Sequence, residues 1–306
     1  MDPYALAAIA IAAVLHATWN ILLKTAGDPL RTATVGVVAA SAVLVPLAAV
    51  AWLATGQPDL PPAAWAVGIV SGVVETAYFV FLAAAYRRGD LSVVYPIARG
   101  SAPVLAVAVG VTVLGERLAP VAWVGVGLLV AGLLVVQRPW RLIGRGGSAG
   151  GEGGPRRAAP AGAGFALLTG AMIATYSSLD RVGVQLAPAW LYAAVLWPVC
   201  GAGLLVVDFL RPRIRGGLHA PPDVPLDRPR AVLGGFLTFT AYGFVLAALS
   251  RAPLAIVAPL RESAVLLTST WGVLRLGEGA SRREISMRIA GSLLVLAGAA
   301  VLAVGR

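Results

Sequence analysis

Two arginines stand where charge is costly. Arg99 lies in residues 91–116 (LSVVYPIARGSAPVLAVAVGVTVLGE) and Arg261 in residues 254–278 (LAIVAPLRESAVLLTSTWGVLRLGE), and the two segments are copies of one apolar pattern. Pro96 matches Pro259, Gly115-Glu116 matches Gly277-Glu278, and Arg99 matches Arg261 with one residue of slippage. A charge at the centre of a membrane helix costs about 2.5–3.5 kcal/mol on insertion scales. The same expense at matching places in two halves of a chain points to a site where those halves meet. With a rise of 1.5 Å per residue, Arg99 sits about 12 Å and Arg261 about 10 Å from the ends of their spans. Those ends lie on opposite faces, so the guanidinium groups straddle the midplane. The expectation is that they bind an anionic group in turn as the site opens to one side and then the other. Each follows a proline, which removes a backbone hydrogen bond and frees a carbonyl, so Pro96 and Pro259 are candidate hinges. The competing structural reading is that each arginine neutralises a carboxylate, with Glu262 beside Arg261 as the obvious partner.

Glu75 lies near the middle of another apolar run, between GIVSGVV and TAYFVF. A midplane carboxylate is rare unless it is paired or exchanges protons, so Glu75 is the leading ion-coupling candidate and Glu262 the second. A salt bridge from Glu75 to Arg99 is the structural alternative. Tyr78 shares the helix face of Glu75. In the first span His16, Trp19, Asn20 and Lys24 form one polar-aromatic stripe. Histidine changes charge near neutrality, and an aromatic face can hold a cation. Trp19 and Lys24 also suit an ordinary interfacial anchor, whereas His16 and Asn20 lie deeper. Tyr95, next to Pro96, and Tyr176, the repeat counterpart of Trp19, complete the candidate substrate contacts.

The elements that position these groups must be membrane helices. The 306 residues are 58% hydrophobic and 12% charged, with a mean hydropathy of +0.84. A soluble domain carries about 25% charged residues. Charge-free gaps at 32–58, 118–137, 158–179, 182–207 and 231–250 each reach across a hydrocarbon core, which takes about 20 helical residues. The patterning predicts ten spans near 3–24, 32–54, 63–86, 91–114, 118–137, 161–180, 187–209, 231–250, 254–275 and 286–304. Residues 1–137 form a first five-helix repeat, 138–160 a Gly/Arg-rich linker, and 161–306 a second repeat. Five spans per copy is an odd number, so the second copy enters the bilayer inverted, as in many secondary transporters. The fold class expected is an all-α polytopic membrane protein of two inverted five-helix repeats. The first segment lacks the basic start and cleavage site of a secretory signal and reads as a retained span.

Setting aside Arg99 and Arg261, Arg117, Arg181, Arg251 and Arg306 lie on the side of the termini, and the other 18 basic residues lie opposite. The positive-inside rule then places both termini outside and the linker in the cytoplasm. The net charge of +10 fits anionic lipid, and no nucleic-acid partner is expected. Cys200 is the only cysteine, which excludes an internal disulfide. Neither a P-loop nor an HExxH zinc motif occurs, and no serine sits in a nucleophile elbow. No cofactor, metal or catalytic residue is expected, and the chain reads as no enzyme. Gly115-Glu116 and Gly277-Glu278 fit helix capping, and Gly68xxxGly72 and Gly127xxxAla131 fit close helix packing.

HATWNILLK in the first span, AYRRGDLSVVYPIARGSAP around Arg99, and the doubled Gly-Glu motif resemble the EamA family of the drug/metabolite transporter superfamily. The resemblance covers essentially the whole chain as two EamA-type units. It implies ten spans in two inverted units, a central cavity, and export of small metabolites such as amino acids. Family members commonly keep their termini in the cytoplasm, whereas the charge count here points the other way. Arg99, Glu75 and His16 exceed the mostly apolar cavity of the family and point to a polar or charged cargo, with protons as a candidate coupling partner. A lipid-carrier flippase and, more remotely, an intramembrane enzyme acting on a lipid phosphate are the alternatives. The sequence does not distinguish a monomer from a homodimer.

Overall fold

The computed structural model describes residues 2–88, 91–137, 160–211, 225–262 and 282–304. Five helices precede the linker: α1 (Pro3–Thr25), α2 (Pro29–Ala54), α3 (Pro62–Arg88), α4 (Leu91–Thr112) and α5 (Pro120–Gln137). Five follow it: α6 (Pro160–Leu186), α7 (Ala189–Leu210), α8 (Arg228–Leu249), α9 (Leu254–Arg261) and α10 (Arg282–Val304). The linker itself and the continuation of the ninth span beyond Glu262 lie outside the described residues.

An aspartate cap with a proline in the first turn starts several of these helices. Asp2 accepts from the Tyr4 N–H at 3.0 Å, Asp28 from Arg31 at 3.1 Å and Asp227 from Arg230 at 3.1 Å. In each case a proline occupies the first turn, where its missing N–H is not needed. α2, α3, α6, α7 and α8 are long and apolar enough to cross a membrane, and α1, α4, α5 and α10 carry shorter apolar stretches. The outer face of α2 is exposed and apolar, with Leu47, Val50 and Leu53 each more than half exposed. Such a surface suits acyl chains, not water.

Among the described residues every extensive helix contact crosses from one half of the chain to the other: α3 on α6 and α7, α1 and α2 on α8, α4 on α6, α5 on α10 and α2 on α7. Exchanging α1–α5 with α6–α10 turns the α1–α8 contact into α6–α3 and the α2–α8 contact into α7–α3. The α5–α10, α2–α7 and α4–α9 pairs map onto themselves. The two repeats therefore interlock around one shared core, and the chain is an all-α, multi-pass membrane protein of two inverted five-helix repeats. Equivalent glycines make the closest crossings. A Cβ added to Gly235 would fall 2.0 Å from the Gly36 carbonyl, and one added to its counterpart Gly72 would fall 2.5 Å from that of Leu196. On α5 it is Gly125 and Gly132 that meet α10, while Gly127 has open space around it.

The sixth span runs to Leu186, six residues past the expected end at 180. Asp180 and Arg181 looked like a boundary in one dimension. Both find buried partners in the bundle, so the helix continues through them.

Candidate functional site

A cavity of about 20 Å³, room for one water molecule, lies in the middle of the bundle and is walled by both repeats. α1 supplies His16 and Trp19, α3 supplies Glu75, Tyr78 and Phe79, and α4 supplies Arg99. From the second repeat come Tyr176 of α6, Trp197 of α7, Thr238 and Tyr242 of α8, and Arg261 of α9. Seven residues singled out from sequence thus share one wall: His16, Trp19, Glu75, Tyr78, Arg99, Tyr176 and Arg261. The side chains of Asn20, Tyr95 and Pro96 lie outside the described residues. Pro259 is buried within α9.

Both arginines line the cavity, but each also donates to one carboxylate. Glu262, 2% exposed, receives Arg99 Nη1 on both carboxylate oxygens at 3.2 Å and Arg261 Nε at 3.3 Å. One carboxylate therefore joins a cation from each repeat. Residues 91–96 and 254–259 overlay without a gap, and neither helix slips. In that register Arg99 is the counterpart of Glu262, not of Arg261. The pair meets where α4 crosses its own equivalent, α9. Arg261 also lies 5.9 Å from the Tyr176 ring centroid and donates to Ser177 Oγ at 3.4 Å.

Glu75 is 3% exposed, and its Oε2 has no hydrogen-bond partner among the described residues. The salt bridge to Arg99 weighed from sequence is absent from the described ion pairs of Arg99, which faces Glu262. An edge-to-face train of rings surrounds the acid. It runs from Trp19 to Phe79 (6.2 Å), Tyr78 (4.9 Å), Tyr176 (5.8 Å), Tyr242 (5.7 Å) and Trp197 (5.6 Å). Each such pair is worth about 0.5–1.5 kcal/mol beyond its buried area, so the wall is rigid, and its ring faces suit a cation.

Sequence reading missed a further buried carboxylate. Asp180 of α6 is fully buried and accepts hydroxyl donors from Ser71 of α3, Tyr192 of α7 at 2.7 Å, and Tyr242 of α8. One signal was available: Asp180 falls one helical turn after Tyr176, on the same face. Tyr242 was also within reach, because it is the repeat counterpart of Phe79. Trp197 gave no signal.

Both ends of the bundle are tied by charge. At one end Arg211, closing α7, makes a two-pronged bond to Asp28, opening α2, at 2.8 and 2.9 Å. There the Asp227 N–H also donates to Ala26 at 2.9 Å. At the other end Glu116 accepts the N–H groups of Leu254 at 2.6 Å and Ala255 at 2.9 Å, and pairs with Arg181 Nε at 3.4 Å. Gly115 closes α4 in a left-handed conformation (φ +65°). Glu116 is a capping residue, as its motif suggested, but the helix it caps is α9 of the other repeat and not the adjacent α5.

Residues 3–138 match the EamA-like transporter family. The Spermidine export protein MdtI of Salmonella paratyphi B and that of Salmonella newport are each 39% identical to this chain over 70 residues, 23% of this chain. The chain spans 64% of the length of these curated relatives. A crystal structure that is 20% identical superposes with a TM-score of 0.67 over 99% of this chain and 98% of its own, which shows a shared fold.

Proposed function

We propose that this protein is a secondary transporter that exports a small polar metabolite, an amino acid or related amine, by alternating access between its two inverted repeats, with Glu75 coupling flux to protons. The observation that carries this reading is Glu75, whose buried Oε2 has no hydrogen-bond partner among the described residues, in a cavity walled by both repeats. A buried carboxylate with an open oxygen can exchange a proton for a cationic group, whereas a fully bonded one cannot do so without losing its bonds. The name of the Salmonella relatives, spermidine export, supports an amine on the cargo. Spermidine itself suits this cavity poorly. A polyamine needs several carboxylates, while here Arg99 and Arg261 share the wall with a single acid, Glu75.

The tied ends support alternating access. Asp28–Arg211 and Glu116–Arg181 each join one repeat to the other at opposite ends of the bundle, and the cavity between them has room for only one water molecule. This is an occluded shape that must open at one end to load cargo. The arginines serve in this reading as the tie between α4 and α9, and a cargo carboxylate would reach them by displacing Glu262. In proteoliposomes, a panel of amino acids and amines is expected to be driven by an imposed pH gradient. Glu75→Gln should abolish that response and leave the protein folded. Undiminished proton-driven flux in that variant would remove Glu75 as the coupling group.

A further inference from the structure

Asp180 does more than packing requires. Its Oδ1 receives Ser71 and Tyr192, and its Oδ2 receives Tyr242 alone. Tyr242 is also part of the cavity wall. A phenol has one proton to give and two lone pairs. With that proton directed at Asp180, the Tyr242 oxygen has only lone pairs to offer a further partner, and the carboxylate enriches them. The open Oε2 of Glu75 lies in the same cavity and is a second acceptor.

We propose that Asp180 is a positioning residue that locks Tyr242 as an acceptor, so that the cavity selects cargo by an ammonium group held between Tyr242 and Glu75. The proposal rests on the reading of this cavity as the cargo site and adds the chemistry that the site demands. A cargo with the same apolar body but a carboxylate in place of the ammonium would set acceptor against acceptor. A buried polar group without its hydrogen bond is strongly rejected. The nearby guanidinium groups do not reverse this preference, because Arg99 and Arg261 both point at Glu262.

The test uses purified full-length protein and two probes that share a phenyl ring, phenethylamine and 3-phenylpropionate, with quenching of the wall tryptophans Trp19 and Trp197 as the readout. The wild type is expected to prefer phenethylamine. Tyr242→Phe removes a hydrogen bond to a charged group and should weaken amine binding roughly ten- to a hundredfold, with little effect on 3-phenylpropionate. Asp180→Asn turns an amide N–H toward Tyr242, reverses the phenol and should lose the amine preference to a similar extent. The double variant should be no worse than Tyr242→Phe alone, because the two residues act as one unit. Wild-type preference retained in a folded Asp180→Asn protein overturns the proposal, as does an unselective wild type. If Asp180→Asn does not fold, Tyr242→Phe decides: an unchanged amine preference overturns the proposal, and a lost one sustains it. Glu75→Gln and Trp19→Ala keep the two ideas separable. If they abolish binding while Tyr242→Phe does not, the cavity holds the cargo but Asp180 does not select it. If none of these variants changes binding, the cavity reading fails as well.

Discussion

Glu75 and Asp180 are both buried carboxylates deep in the bundle, one from each repeat, and they are built oppositely. Asp180 collects three hydroxyl donors from three helices, while Glu75 keeps an oxygen without a partner beside an aromatic wall. Desolvating a carboxylate costs several kcal/mol in either place. At Asp180 the surrounding hydroxyls offset that cost, and the result is a fixed group that ties α3, α6, α7 and α8. At Glu75 the cost is left partly uncompensated, and that deficit is what a ligand or proton can relieve. The contrast separates a group that holds the structure from one held ready for exchange.

The contrast breaks most sharply at Glu75 itself. Glu75→Gln should eliminate pH-gradient-driven uptake into proteoliposomes, with an unchanged melting temperature. Asp180→Ala should do the reverse and strike stability first. It leaves Ser71, Tyr192 and Tyr242 without an acceptor, at about 1–3 kcal/mol for each buried hydroxyl, and a thermal melt in detergent reads the loss. Arg211→Ala asks whether a saturated pair far from the cavity behaves like Asp180. It takes the guanidinium partner from Asp28, which is 7% exposed, and should destabilise by about 3–5 kcal/mol, visible as a lowered denaturation midpoint. Gly235→Ala forces a methyl against the Gly36 backbone, where strain of about 1–3 kcal/mol is expected. Its signature would be a lowered melting temperature with cargo selectivity intact.

The smallest effect belongs to the exposed end of the series. The Tyr4 N–H, and after it Arg251, hold the Asp2 carboxyl below the usual carboxylate range. A group with a depressed folded-state value stabilises above its ordinary value and loses that contribution only as pH falls through the folded one. Asp2→Asn should therefore leave thermal stability flat across neutral pH, and any difference from wild type should be confined to acid. A pH-dependent melting curve around neutrality would point to a buried group instead.

Much of the site was legible because burying charge in lipid is so costly that each instance stands out. His16, Glu75, Arg99 and Arg261 were conspicuous for this reason, and all four face one cavity. Asp180 was hidden because it adjoins Arg181, and an adjacent Asp-Arg pair at the edge of an apolar run looks like a loop. The helix carries on only because Asp180 meets hydroxyls from α3, α7 and α8 while Arg181 meets Glu116, contacts with no local trace. The matching of Arg99 to Arg261 failed for a related reason. Residue type invited a slip in alignment, whereas unbroken helices keep register and set Arg99 against Glu262.

Composition and hydropathy by themselves determined the helices, their number and the doubling of the chain. In lipid, backbone groups must be satisfied within each span, which leaves helices as the way to cross when barrel patterning is absent. An odd count per copy then dictates inversion. Only the tertiary structure decided which donor meets which acceptor. The halves interlock, so the partners of Glu116 and Arg99 and one of the three donors to Asp180 come from the opposite repeat, and hydrogen bonds between groups so far apart in the chain leave no periodicity for a sequence to display.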